Sequence, residues 1–363
     1  MTESIKTAIR NGIGFLILDR PKALNSLSLE MVRALTHTLL DWRGNDAVRA
    51  VFIKSASEKA FCAGGDIRFF YDAGGATPQR GSALIEDFFT EEYALNHLTH
   101  FYPKPYLALM DGIVMGGGMG IAQSGPACQL RIVTERTRMA MPEVNIGLFP
   151  DVGGSHFLSR MPAQLGTYLG VTGETIGAAD ALHAGLADIF IPSVQLPALE
   201  ALLDTTDASD PRAAIRAFAA PFRQQADPAG SMLAAERASI NRHFAHDKVR
   251  LITASLAADD SAFAQKTLAV MQKRSPLMMC VTLAQLRRGT ALGVADCLRM
   301  ERTMVRRSFE HGEILEGVRA VVIDKDNRPT WNPATLEEVT PQMVDRFFEP
   351  AWPDHAHPLR ELR

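Results

Sequence analysis

Residues 111–121 read DGIVMGGGMGI: an Asp-Gly pair, a short apolar run, three glycines in a row and a fourth after one methionine. The apolar stretch from Pro105 to Val114 reads as a strand, so the glycines form a turn at its end. Glycine lets a backbone come close to a ligand and present its N–H groups. If the turn opens a helix, those N–H groups also lie at the positive end of a helix dipole. A second glycine-dense turn, FCAGGDI at 61–67, likewise follows an apolar strand. Two such N–H groups converging on one point make an oxyanion hole for a carbonyl oxygen. Tight strand-to-helix packing explains either turn alone equally well.

Outward from these turns, the first two hundred residues alternate apolar runs with amphipathic segments. Gly14–Leu18, bounded by Gly12 and Pro21, predicts a buried strand, and Val48–Ile53 and Leu130–Val133 predict others. Ser28 offers an N-cap, Glu30 lies in the first turn, and Met31, Val32, Leu35, Leu39 and Trp42 follow at helical spacing, which predicts a helix over Leu29–Trp42. This alternation implies an α/β layered core. Asp204–Asp210 (DTTDASD) reads as a linker or exposed turn. Beyond it the chain is alanine-rich and helical, with Ser275-Pro276 opening one helix and Val294, Cys297, Leu298, Glu301, Met304 and Val305 spaced along another. The expected organisation is an α/β core over residues 1–200 and a mainly helical region over 201–363.

The 363 residues are 47% apolar and 22% charged, ordinary globular values. Lys and Arg total 38 against 41 Asp and Glu, so no basic excess points to nucleic acid. The cysteines at 62, 128, 280 and 297 include no C-x-x-C pair, which argues against a disulfide scaffold or a zinc site. The N-terminus lacks the apolar core of a secretory signal, and Tyr106–Gly125 is too glycine-rich to read as a membrane span. These features predict a cytoplasmic protein that engages neither membrane nor nucleic acid.

No G-x-x-x-x-G-K-[ST], H-E-x-x-H or G-x-S-x-G occurs, and Ile121 breaks a G-x-G-x-x-G reading of the glycine cluster. In the segment MPEVNIGLFPDVGG (141–154), Glu143 and Asp151 stand among apolar and turn residues. Buried carboxylates are costly unless paired or used, and a base beside a second, orienting carboxylate is one use. The alternative makes Asp151 a helix N-cap and Glu143 a surface residue. His156 reads as structural, Cys62 as a small buried hydrophobe, and Glu301, Arg302, Arg306 and Arg307 as solvated or inter-helix charges.

Taken together, LILDRPKALNSLSLEMV (16–32), AFCAGGDI (60–67), DGIVMGGGMGI (111–121) and MPEVNIGLFPDVGGSHFLSRMP (141–162) resemble the crotonase, or enoyl-CoA hydratase/isomerase, superfamily in content, order and spacing. EEYALNHL (91–98), KRSPLMMCVTLAQLRRG (273–289) and GEILEGVRAVVIDKDNRPTWNP (312–333) are similar to its 3-hydroxyisobutyryl-CoA hydrolase branch. The resemblance implies a crotonase-like spiral of repeated ββα units with a helical C-terminal region. It implies an acyl-CoA substrate, no metal and no cofactor beyond the CoA of the substrate; the family often forms homo-oligomers through its C-terminal helices, and the extra helical sequence of this branch leaves the assembly open.

By position in those motifs, the backbone N–H groups of Gly65 and Gly117 would hold the thioester oxygen. Lys22, Ala23, Ala63, Asp66 and Ile67 match positions that contact CoA. Glu143 matches a hydratase glutamate, and Asp151 falls where isomerase and hydrolase branches carry an acid. Glu92 resembles a position near the acyl group, with a surface carboxylate as its plainer reading. The second hydratase glutamate, three residues after the oxyanion glycine, is Gly120 here, which disfavours hydration and leaves thioester hydrolysis. The competing expectations are an enoyl-CoA hydratase or isomerase, and a non-catalytic acyl-CoA-binding protein of the same fold.

Overall fold

The structure, a computed structural model, describes residues 3–77, 81–123, 125 and 129–363. In chain order the elements that position the site begin with β1 (Ile5–Arg10), β2 (Ile13–Leu18), α1 (Leu29–Arg43), β3 (Ala50–Ser55) and β4 (Ala60–Cys62). Next come α2 (Ile67–Gly75), α3 (Ala83–His100), β5 (Tyr106–Met110), β6 (Ile113–Met115) and α4 (Gly117–Ala122). Then follow β7 (Gln129–Val133), β8 (Arg138–Ala140), α5 (Gly154–Phe157), α6 (Leu165–Thr172) and β9 (Ile189–Phe190).

The strands form two sheets, one in the order β1-β2-β3-β5-β7-β9 and one in the order β4-β6-β8. Each of the successive pairs β3/β4, β5/β6 and β7/β8 therefore gives one strand to each sheet, and helices follow: the ββα repeat expected of a crotonase-like fold. β1 and β2 are antiparallel and the other pairings of the large sheet are parallel. Parallel neighbours need crossover connections, which the intervening helices supply. Both faces are then covered, which is why these strands read as continuous apolar runs. The core of the large sheet gathers Phe15, Phe52, Leu107, Leu109, Leu130 and Ile132, with the Phe15 and Phe52 rings 5.6 Å apart.

Ser28 caps α1 as expected, its hydroxyl accepting from the Met31 amide at 3.3 Å, and the predicted apolar face is buried. One expectation changes. The single strand over Pro105–Val114 is two strands in different sheets, broken at Asp111-Gly112. Gly112 takes φ 78°, and a Cβ there would sit 2.5 Å from the Lys59 carbonyl oxygen. Only glycine meets both demands.

The chain divides into two compact units, one of Met1–Gly65, Ala94–Met139 and Thr175–Ala235, the other of Asp66–Tyr93, Ala140–Glu174 and Glu236–Arg363. This division differs from a boundary at residue 200, because residues 66–93 and 140–174 pack with the C-terminal helices. Gly74 of α2 lies against Leu315 and Phe309, and Gly170 of α6 lies against Leu286 and Thr282. The DTTDASD segment is a turn of the first unit. Asn11 donates to the carbonyls of Leu203 and Thr206, at 3.0 and 2.7 Å, and Ala208 is buried.

Cys62, Cys280 and Cys297 are not in disulfides, while Cys128 lies outside the described residues. Among the described residues no group of three or more His, Cys, Asp or Glu is placed to hold a metal ion, and no helix is long and apolar enough to cross a membrane.

Candidate active site

The first unit brings the two glycine turns into contact. Gly64, at φ 103°, approaches so closely that a Cβ there would lie 3.3 Å from the Met115 carbonyl oxygen and 3.7 Å from the Gly117 nitrogen. Gly117 is the first residue of α4, so its N–H has no partner within the helix. The turn over residues 20–27 is sewn onto the first glycine turn. Ala63 N–H donates to Leu24 at 3.0 Å and Leu27 N–H to Gly64 at 2.7 Å. Lys22 and Ala23, in the turn Pro21–Ala23, are thereby held beside Ala63. Buried Asn25, missed in the sequence, locks this arrangement. Its amide donates to Ser55 Oγ at 2.7 Å and to the carbonyls of Ala60 and Phe61, both at 3.1 Å. Asp66, which opens the second unit, caps α2 by accepting from the Phe69 amide at 3.3 Å, and Ile67 is that helix's first residue.

The second unit gathers the carboxylates. Glu143 begins a 3-10 turn over Glu143–Asn145 and is only 6% exposed; it is no surface residue. Its carbonyl accepts from the amides of Ile146 and Leu148, at 2.9 and 3.0 Å, while its buried Oε2 has no hydrogen-bond partner. Asp151 is 5% exposed and does not serve as an N-cap, since Gly153 takes that place on α5. Instead its Oδ2 accepts from the Tyr93 hydroxyl at 2.6 Å. Glu92, on α3, is 2% exposed with an unpartnered Oε1, so its surface reading fails too.

Burial, and next the charge of Asp151, push both Glu92 and Glu143 well above the usual carboxylate range. Burial also raises Asp151, to about 6, against the opposing pull of the Tyr93 hydrogen bond. Each of these carboxylates makes ionisation of its neighbours harder, so the group holds its protons more tightly than isolated carboxylates would. A buried carboxyl with an idle oxygen and a raised pKa is a strong base once ionised.

Residues 13–348 match the enoyl-CoA hydratase/isomerase family. The chain belongs to that family. Among its relatives, "3-hydroxyisobutyryl-CoA hydrolase, mitochondrial" of Xenopus tropicalis is 40% identical over 337 residues, covering 92% of this chain and 86% of that one. "Small ribosomal subunit protein mS47" of Neurospora crassa is 38% identical over 346 residues, 89% of this chain and 66% of the relative. A solved carnitinyl-CoA dehydratase of Mycobacterium thermoresistibile superposes with a TM-score of 0.88 at 37% identity, covering 97% of this chain and 98% of that one. The crotonase fold is therefore shown.

One expectation is corrected by these relatives. The cytoplasmic location does not stand, because related hydrolases of Xenopus tropicalis, Gallus gallus and Rattus norvegicus are named as mitochondrial.

Sequence reading of the enoyl-CoA hydratase/isomerase site missed two residues besides Asn25. Tyr93 had a signal, since it directly follows Glu92, but nothing in the spacing shows where its hydroxyl goes. Glu301 was read with its neighbours as a solvated or inter-helix charge; it and Arg302 are buried, at 0% and 1% exposure. Arg302 does form an inter-helix ion pair, with Glu86 at 2.5 Å.

Tyr93 gives a pH test. Its O–H favours ionised Asp151, so Tyr93→Phe raises the Asp151 pKa. If turnover needs ionised Asp151, the rate falls as pH drops through about 6. In the variant that limb moves to higher pH, by about one unit at most for a bond worth ~1 kcal/mol. A pH profile of kcat/KM with the limb unmoved removes Asp151 from the titration.

Proposed function

We infer that this protein is an acyl-CoA thioester hydrolase that converts 3-hydroxyisobutyryl-CoA and water to 3-hydroxyisobutyrate and CoA, a step of valine breakdown. The observation that carries the reading is Glu143, a buried carboxylate with an idle oxygen, in a chain whose residue 120 is glycine. Addition of water to a double bond calls for a second acid, and Gly120 has no side chain to supply one. Thioester hydrolysis needs only one base and an oxyanion site.

In the reaction as proposed, the thioester carbonyl oxygen lies between the N–H groups of Gly65 and Gly117. Glu143 takes a proton from water as the water oxygen bonds to the carbonyl carbon. The negative charge that develops on the carbonyl oxygen is held by the two amides, each worth about 3 kcal/mol in such sites. The C–S bond then breaks, the carbonyl re-forms, and the departing sulfur receives the proton from Glu143. Direct attack by Glu143 to give a mixed anhydride, which water then opens, balances equally well. Asp151 orients the substrate 3-hydroxyl or the water, and Glu92 binds the substrate hydroxyl. Lys22, Ala23, Ala63, Asp66 and Ile67 take the CoA portion. No metal or redox group enters any step.

Thiol release from 3-hydroxyisobutyryl-CoA by the purified protein, followed with a thiol-reactive dye, tests the reading. Hydration of crotonyl-CoA without thiol release would instead favour the hydratase reading, which the likeness to a dehydratase structure keeps in view. CoA-thioester binding without turnover would point to a non-catalytic role, in keeping with the ribosomal relative.

A further inference from the structure

The turn that carries Asp151 is held by a residue far along the chain. Glu301, midway along the helix Val294–His311, is wholly buried. Its Oε2 accepts from the Gly153 amide and its Oε1 from the Ser155 amide, both at 2.8 Å. Between them the Gly154 amide donates to the Asp151 carbonyl at 2.7 Å. Three successive N–H groups after Asp151 are thus satisfied, two of them by one carboxylate.

This turn is not one the chain adopts unaided. Val152 sits at φ 51°, a left-handed conformation that a β-branched residue rarely takes, and Gly153 follows at φ 90°. Such backbone persists only where its surroundings over-determine it. Gln285 supplies a second hold, donating to the Pro150 carbonyl and, at 2.8 Å, to Ser155 Oγ. Tyr93 grips the Asp151 carboxylate itself. Placing a carboxylate at position 301 carries a cost, since burial pushes it up to about 8. The adjacent Arg302 bonds to Glu86 and Thr90. Both oxygens of a carboxyl group can accept a hydrogen bond, whereas glutamine would turn an NH2 toward one of the two amides.

We propose that Glu301 is a positioning residue for hydrolysis, setting the place of the Asp151 carboxylate by fixing the strained 151–155 turn through both of its oxygens. The proposal rests on the role given above to Asp151. Misplacing a reacting group by about an ångström costs on the order of 100-fold. Glu301→Gln keeps the volume and loses one acceptor. Its kcat for 3-hydroxyisobutyryl-CoA falls about 10- to 100-fold, with KM within about two-fold of the wild type.

The discriminating measurement is the double variant. If Glu301 acts through Asp151, Glu301→Gln adds little loss in an Asp151→Asn background, whereas a general weakening of the fold multiplies with it. Should Glu301→Gln not accumulate as folded protein, Glu301→Asp, which withdraws the carboxylate by one methylene, is read by the same assay and cycle. Multiplying losses, or a folded Glu301→Gln enzyme with wild-type kcat beside an inactive Asp151→Asn enzyme, overturn this proposal alone. Full activity in Asp151→Asn overturns the role of Asp151, and this proposal with it.

Discussion

Glu143→Gln is expected to lower kcat for thioester hydrolysis by about 10³- to 10⁴-fold while the substrate still binds. Glutamine keeps the shape of the side chain and removes the one thing the mechanism asks of it, a basic oxygen. In the wild type its Oε2 is buried and unpartnered, so the substitution breaks no hydrogen bond at that oxygen. Removing a buried carboxyl whose pKa is forced upward relieves strain, so the melting temperature should hold or rise. The paired readout matters. Lost turnover with unchanged or increased stability identifies a group retained for chemistry at a cost to the fold. Undiminished thiol release would remove Glu143 from the mechanism.

The second large effect lies in the first unit. A Cβ on Gly118 would sit 2.3 Å from the Cys62 carbonyl oxygen and 2.9 Å from the Cys62 Cβ. Backbone is what blocks it, so no side chain can rotate away. Gly118→Ala must force the end of β4 apart from the first turn of α4, at a cost of about 1–3 kcal/mol or more. That movement also spreads the turns bearing Gly65 and Gly117. Loss of one oxyanion donor is worth about 10²- to 10³-fold in kcat. The expected result is a lower melting temperature together with at least that loss of turnover. Gly44→Ala is the control: its Cβ would meet nothing within 4 Å, and both quantities should match the wild type. A Gly118→Ala enzyme with wild-type kcat would show that the close approach of the turns is not needed.

Sequence reading succeeded where the deciding signal is local. The α1 cap and its apolar face, the buried strands and the glycine turns all depend on residues a few positions apart, and each lies where the pattern put it. It succeeded less well where the same residues serve two outcomes. An apolar run is continuous through Asp111-Gly112, so periodicity alone reports one strand there. The break is set by the backbone of Lys59, more than fifty residues upstream. The division at residue 200 followed composition. Compactness followed contacts, and these join α2 and α6 to helices beyond residue 236.

The carboxylates show the limit most plainly. Glu143, Asp151 and Glu92 could be named from their motifs, yet the plainer alternatives, surface carboxylates for Glu143 and Glu92 and a helix N-cap for Asp151, could not be dismissed from the chain. A carboxylate's chemistry depends on its dielectric surroundings and on which donors reach it, and both are properties of folded space. Glu301 makes the same point in reverse. At helical spacing among arginines it reads as one charge among several, while in the fold it is sealed beneath the Asp151 turn with both oxygens on backbone amides. By itself, the sequence determined the capped helix α1, the apolar strands on either side of it and the places of the glycine turns, because propensity, capping and backbone sterics act over short distances, while the family and its ββα repeat were reached through the resemblance of its motifs. Only the tertiary structure decided which charges are buried, which hydroxyl reaches Asp151 and what holds its turn, because burial and hydrogen bonding are set by residues the chain brings together from afar.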